Sequence, residues 1–353
     1  MGTYMTYILY YSLAVIPVFL DSKSQKYNYN KILLFISYLF LWFFAAFRYD
    51  VGSDYFSYIR MYNKIGSRGI SWALSSVRTE PLYAIFNWII YNVFENHNLV
   101  FVLSSTILLS LIFSVIIKNK NKLSVGLSLF LFVTTFYLSM FTFIRLSISA
   151  GIIFYSYEYL VNRNPVKYFF LIILAIGFHF TAIVMLPVYF IVDKRLKFFV
   201  LKFLFVLIFV AAALMLFTFF VDIIGGFLGY EYAHRVGNIR GGINQLILFS
   251  PIFIFIFIFR KRLILYNSKN IIYTQIFWLG SILMLFTLWL GILDRMAVYF
   301  QFSIILLIPQ IFKVMNNKEK IIFPYLIVLY FLLRFSYSIF GNMSLIPYEN
   351  IIF

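Results

Sequence analysis

Residues 31–58 read KILLFISYLFLWFFAAFRYDVGSDYFSY. After Lys31 the stretch carries no charge until Arg48, and Asp50 and Asp54 follow within one short segment. An apolar run of this length approaches the roughly 20 residues that a helix needs to cross a hydrocarbon core. The charges that follow it read as the mouth of a membrane. Comparable apolar runs recur to the end of the 353-residue chain, which is 63% hydrophobic, 22% aromatic and 12% charged. The mean hydropathy of +0.93 lies outside the range of soluble domains. A membrane β-barrel would instead show segments of about ten residues with alternating polarity. The expected fold is therefore all-α: a polytopic transmembrane helical bundle, with residues 1–353 forming a single integral membrane domain.

Composition also excludes chemistry. The chain has no cysteine, which removes disulfides, thiolate nucleophiles and thiolate metal sites. His97, His179 and His234 stand far apart and form no HExxH-type spacing, so no protein-held metal is expected. No phosphate-cradling glycine loop precedes a helix. The expectation is an activity without a cofactor and without nucleic acid, whose driving energy arrives with the substrate. No cleavable signal peptide is expected, because Met1–Thr6 lacks a basic flank.

Lysine and arginine are retained in cytoplasmic loops. Six clusters meet that description: Lys23/Lys26/Lys31, Lys118/Lys120/Lys122, Arg163/Lys167, Lys194/Arg195/Lys197/Lys202, Arg260/Lys261/Arg262/Lys269 and Lys313/Lys318/Lys320. Placing all six inside pairs the runs 32–47 with 98–117, 123–141 with 143–161, 203–220 with 246–259, and 271–293 with 296–312. About ten full crossings result, with both termini outside. Pro81–Phe94 is too short to cross and reads as a re-entrant helix. Val166–Val192 reads as a bent hairpin turning near Gly177 and His179. Residues 48–80 and 221–245 become outer loops.

This topology sorts the cations by type. The inside clusters are mostly lysine, whereas the remaining ten are Arg48, Arg60, Lys64, Arg68, Arg78, Arg145, Arg235, Arg240, Arg295 and Arg334. Topology is indifferent to which cation is used; bidentate recognition of phosphate favours the guanidinium fork. The outer face therefore reads as an anion-binding surface, against the alternative of arginines snorkelling to lipid headgroups.

Four outer elements carry the candidate chemistry. Arg48, Asp50, Asp54, Arg78 and Glu80 bracket a long connection of the kind that is usually functional. Asp50 and Asp54 are four apart, the spacing of a short interfacial helix. Arg145 interrupts FIRLSISAG (143–151), and a charge between apolar runs is a functional-site hypothesis by default. GYEYAHRVGNIRGGINQ (229–245) is glycine-rich, aromatic and basic, as a lid is. Asp294 and Arg295 are adjacent, so they face different partners on a helix.

FRYDVGSDYFSY (47–58), EPLYAIFNWI (80–89), FIRLSISAGIIFYSYEYL (143–160), KYFFLIILAIGFHFTAIVMLPVY (167–189), DRMAVYF (294–300) and IPYEN (346–350), in that order, resemble the EpsG-type, Wzy-like bacterial polysaccharide polymerases. The resemblance implies a GT-C-like glycosyltransferase of the bacterial inner membrane whose site faces the periplasm. Its partners would be an undecaprenyl-pyrophosphate-linked oligosaccharide donor and acceptor, the lipid bilayer and a chain-length regulator protein. Matching family positions are Arg48, Gly52, Asp54, Tyr58, Glu80, Arg145, His179 and Arg295; Leu146 stands where many relatives carry glutamine.

The expected division of roles follows. Arg48, Arg145, Arg295 and Arg235 would hold pyrophosphate. Asp54 or Glu80 would act as general base, with His179 in reserve. Asp50, Tyr55, Tyr58, Asp294 and Tyr348 would bind glycan. The alternatives are a lipid-linked oligosaccharide flippase, which would favour internal repeats, and a membrane O-acyltransferase or O-antigen ligase.

Overall fold

The architecture is that of a computed structural model that describes residues 2–26, 30–75, 79–194, 239–287, 292–341 and 343–352. Among them helix dominates, and one two-residue ladder, Arg48–Tyr49 (β1) against Glu349–Asn350 (β2), is antiparallel. The chain divides into two compact units, residues 1–183 with 308–353, and residues 184–307.

In the first unit, α1 (Thr3–Lys26) packs on α2 (Lys31–Ala46) and on α6 (Val125–Phe132), and α5 (Asn98–Lys118) joins α2 to α8 (Ile144–Val161). Helix α9 (Pro165–Phe178) lies along α8. Sequence explains several starts. Asn30 and Asn164 accept hydrogen bonds from Ile32 N–H and Lys167 N–H, as N-caps do, and Pro165 occupies the first helical turn, where its missing N–H costs nothing.

Residues 48–80, expected as an extended outer connection, are largely helical: α3 covers Tyr55–Ser75. Its apolar face carries Tyr55, Tyr58, Tyr62 and Ile65 at helical spacing, and it packs on α4 (Pro81–Phe94), where Tyr62 meets Tyr91 at 5.3 Å between ring centroids. The polar face holds Arg60, Lys64 and Arg68, all exposed. Asp50 and Asp54 do not share a helix. The backbone turns at Asp50 (φ 48°) and Gly52 (φ 101°) before α3 begins.

The expected ten crossings are not what the described residues show. Three helices are long and apolar enough to cross: α1, α5 and the last long helix, Glu319–Phe340, and one bent pair would make a fourth. The runs 32–47 and 143–161 stay whole as α2 and α8, and two others are cut. The run 123–141 becomes α6, a π-helical turn over Val133–Tyr137 and the short α7 (Ser139–Thr142). The run 166–192 stops at His179, then continues as a 3₁₀ turn, Phe180–Met185, and α10 (Val188–Ile191). The run 203–220 lies outside the described residues.

In the second unit, α11 (Ile239–Tyr266) packs on α12 (Asn270–Phe286), where Phe253 sits edge-on to Trp278 at 4.4 Å. Helix α12 also packs on α13 (Ile292–Gln301), and the chain bends by 40° before α14 (Ile304–Val314). Gln275 exchanges two hydrogen bonds with the backbone of Asp193, at 2.8 and 2.6 Å.

After α15 (Glu319–Phe340) the C-terminal segment returns to the start of α3. Beyond the β1/β2 ladder, Ile351 N–H donates to Phe47 O and Gly52 N–H to Ser344 O, each at 2.9 Å. Tyr348, fully buried, donates to Phe44 O at 3.0 Å. This clasp presses Gly52 so close to α7 that a Cβ there would stand 2.4 Å from Phe141 O. Gly69, also at positive φ (81°), has open space instead.

The two glycines separate packing from backbone strain. Gly52→Ala should cost roughly 2 to 6 kcal/mol, strain plus overlap, whereas Gly69→Ala should cost about 1 to 3 kcal/mol, strain alone. Thermal unfolding in detergent measures both, and equal shifts would contradict the clasp.

Candidate functional site

Glu80 precedes Pro81, and its backbone is extended (φ −67°, ψ 144°), the conformation that a following proline imposes. It is the N-cap residue of α4 but makes no side-chain cap, which leaves the carboxylate to reach elsewhere. One oxygen, Oε2, pairs with Nη1 of Arg145. The other, Oε1, stands 2.8 Å from Nδ1 of His179, and Phe180 N–H points at the same oxygen from 3.5 Å.

Each partner is delivered by a helix end. Arg145 is the second residue of α8, and His179 is the C-cap of α9. The ladder of α9 ends there with His179 N–H donating to Ala175 O at 2.9 Å while the His179 backbone turns extended (φ −155°, ψ 117°). Arg145 occupies the positive end of its helix, an unfavourable place for a cation, and the Glu80 carboxylate compensates for it.

Two tyrosines back the cluster. Tyr58 Oη accepts from Ile144 N–H at 3.1 Å, which satisfies one of the free amides at the start of α8, and it also hydrogen-bonds Arg145. The Arg145 guanidinium stands 5.9 Å from the centre of the Tyr83 ring, and Tyr83 meets Tyr58 edge-on at 6.0 Å. The side chains of Arg145, Glu80 and His179 are 24%, 14% and 10% exposed. The group is thus largely withdrawn from water, with Arg145 its most exposed member.

Burial raises the Glu80 carboxyl's affinity for a proton, but the His179 hydrogen bond and the Arg145 charge outweigh burial and hold it below the ordinary carboxylate value. Nε2 of His179 is buried and has no hydrogen-bond partner among the described residues. In a neutral ring, a carboxylate acceptor at Nδ1 favours the tautomer that keeps the proton there and leaves the lone pair on Nε2.

The other expected site residues of the first unit lie outside this cluster. Arg48 is 2% exposed. It donates to Ala45 O and, at 3.4 Å, to Phe141 O, and it is held between the rings of Phe101 and Phe141 at 4.9 and 4.8 Å. Burial pulls its pKa down to about 10, still a cation at neutral pH. Tyr55 is buried and stacked on Phe101 at 4.5 Å. Tyr348 belongs to the clasp. Asp50 is exposed; Asp54 is half-buried, and its carbonyl starts α3 by accepting from Tyr58 N–H at 3.0 Å. Asp294 and Arg295 lie on α13 in the second unit, the first half-buried and the second exposed. Arg235 and residues 221–238 of the expected loop lie outside the described residues. Sequence reasoning missed Tyr83, although its place three residues after Glu80 on one helix was available as a signal.

Apolar helices that bring a carboxylate, a guanidinium and an imidazole together at their ends define a membrane protein with a withdrawn polar site. The model of the EpsG family matches residues 31–350. The chain belongs to the EpsG family, and membership points to a membrane polysaccharide polymerase. No curated protein and no solved structure matches the chain.

The depressed Glu80 value sets a pH dependence. A carboxylate whose folded pKa lies below its unfolded one contributes stability above the unfolded value and loses it as pH falls through the folded one. Glu80→Gln should cost roughly 1.5 to 3 kcal/mol at neutral pH, and the gap to wild type should close on acidification below about pH 4. Melting curves of both proteins across that range measure the gap; one that widens in acid would reverse the assignment.

Proposed function

We propose that the chain polymerises lipid-linked repeat units on the outer face of the bacterial inner membrane. It transfers a glycan from undecaprenyl pyrophosphate to the non-reducing end of a second lipid-linked unit, in O-antigen, capsule or exopolysaccharide synthesis. The observation that carries this reading is the double engagement of Glu80, which sets the partly exposed Arg145 beside His179, whose buried Nε2 has no partner among the described residues.

The roles divide by geometry. Glu80 is occupied by two partners and acts as the orienting group. The proton of the acceptor hydroxyl goes to His179 Nε2, which is enclosed in this structure and which substrate entry has to uncover. The freed oxygen attacks the anomeric carbon, the carbon–oxygen bond to the pyrophosphate breaks, and the leaving group departs with the electron pair. Arg145 stabilises the charge that grows on it, the kind of electrostatic assistance that often dominates catalysis. The transfer is a single displacement with inversion, and it requires no nucleotide because the donor is already activated. Arg48 acts here by position: it holds the loop that starts α3, and α3 carries Tyr58 to Arg145.

Purified protein given lipid-linked repeat units alone, without nucleotide sugar or acyl-CoA, should yield a ladder of multiples. Arg145→Lys should lower the rate about 10² to 10³-fold and His179→Ala about 10² to 10⁴-fold, both with normal membrane insertion. Unchanged chain lengths in both variants would remove the site from the reaction.

A further inference from the structure

A small cavity lies behind the site, in the core of the first unit, lined by Arg48, Ser104, Ser105, Met140, Ile144 and Ser147 among others. Its volume is about 10 Å³, the room one water molecule requires. Two polar atoms of its lining residues are in an awkward position. Arg48 spends Nη1 and Nη2 on the carbonyls of Ala45 and Phe141, but its Nε–H has no protein partner among the described residues. The Ser104 hydroxyl has none either. The two residues are 2% and 5% exposed, so bulk solvent does not serve them. A buried polar atom left without a hydrogen bond is costly, and native proteins rarely tolerate it.

We propose that this cavity is a site for a single structural water. The water accepts from Arg48 Nε–H and donates to Ser104 Oγ, and the hydroxyls of Ser105 and Ser147 complete a polar wall. Arg48 repels a cation, and an empty cavity stays dry only where its lining is apolar; this one holds a guanidinium and three serines. The site has a definite place in the fold. Ser104 and Ser105 belong to α5, Ser147 and Ile144 to the first turn of α8, and Arg48 to β1. The water therefore joins three elements two residues away from Arg145 and extends the Arg48 contacts into a closed network. This inference is independent of the polymerase reading.

Radiolytic footprinting of the full chain in nanodiscs tests it, because hydroxyl radicals formed from a bound water oxidise the side chain beside it. Met140 lines the cavity, and Met315 is an internal control of equal exposure, both 4%. Irradiation in ¹⁸O-labelled water should oxidise Met140 several-fold faster than Met315. In Ser104→Val, whose extra methyl fills the cavity, the Met140 rate should fall to that of Met315. Equal rates for the two methionines in the wild-type protein, or an undiminished Met140 rate in folded Ser104→Val, would overturn the proposal.

Discussion

An ionised carboxylate set among apolar helices has to be compensated where it stands, and Glu80 is compensated twice. Its two oxygens hold groups 65 and 99 positions further along the chain. Removing one partner of such a half-buried pair leaves the other charge uncompensated, at a cost of about 1.5 to 3 kcal/mol. The start of α4, the start of α8 and the end of α9 are therefore held at one point. The break at His179 belongs to the same constraint, since a continuous α9 would have to carry the imidazole onward with the helix, whereas the extended residue lets it reach Oε1. Chain interruption and site assembly are thus one event.

Arg48 and Arg145 show how similar residues diverge with their surroundings. Arg48 is enclosed by backbone carbonyls and two phenyl faces, acceptors that satisfy a guanidinium without any acid. Arg145 has an acidic partner and retains exposure. A charge inside a membrane protein is a functional hypothesis by default, but the hypothesis is different for each. Arg48 braces the clasp formed by the C-terminal segment, and that clasp fixes where α3 begins. Helix α3 in turn brings Tyr58 against the first turn of α8.

Much of this was legible in the residues. The apolar runs located the helices, and α4 and α5 begin where charge and proline patterns said they would, at Pro81 and Asn98. Glu80, Arg145 and His179 were all singled out, the first as one end of the 48–80 connection, the second as a charge between apolar runs and the third at a bend. Their mutual pairing was not legible, because contact between segments so far apart leaves no local periodicity. Residues 48–80 were misread for a related reason: the charges at their ends drew attention from the tyrosines at helical spacing in the middle. The count of about ten crossings assumed that an apolar run is one helix. Hydropathy reports what a segment is dissolved in, whereas the π-helical turn at Val133–Tyr137 and the bend between α13 and α14 are set by hydrogen bonding and packing.

The charge balance at the site bears on how the proposed reaction would turn over. Arg145 adds a full positive charge at the start of α8, where the helix itself contributes about half a charge of the same sign, and α8 has no acid in its first turn. Glu80 offsets roughly one charge of that total. What remains attracts an anion, yet attracts it less than an unpaired guanidinium would. A pyrophosphate leaving group gains negative charge as its bond breaks, so the field favours the transition state over the bound ester. In the proposed reaction the same carboxylate would then limit how tightly the free pyrophosphate carrier is held. An enzyme that extends a chain by many units must release that carrier after each transfer, and on this reading Glu80 serves assembly, orientation and release through two oxygen atoms.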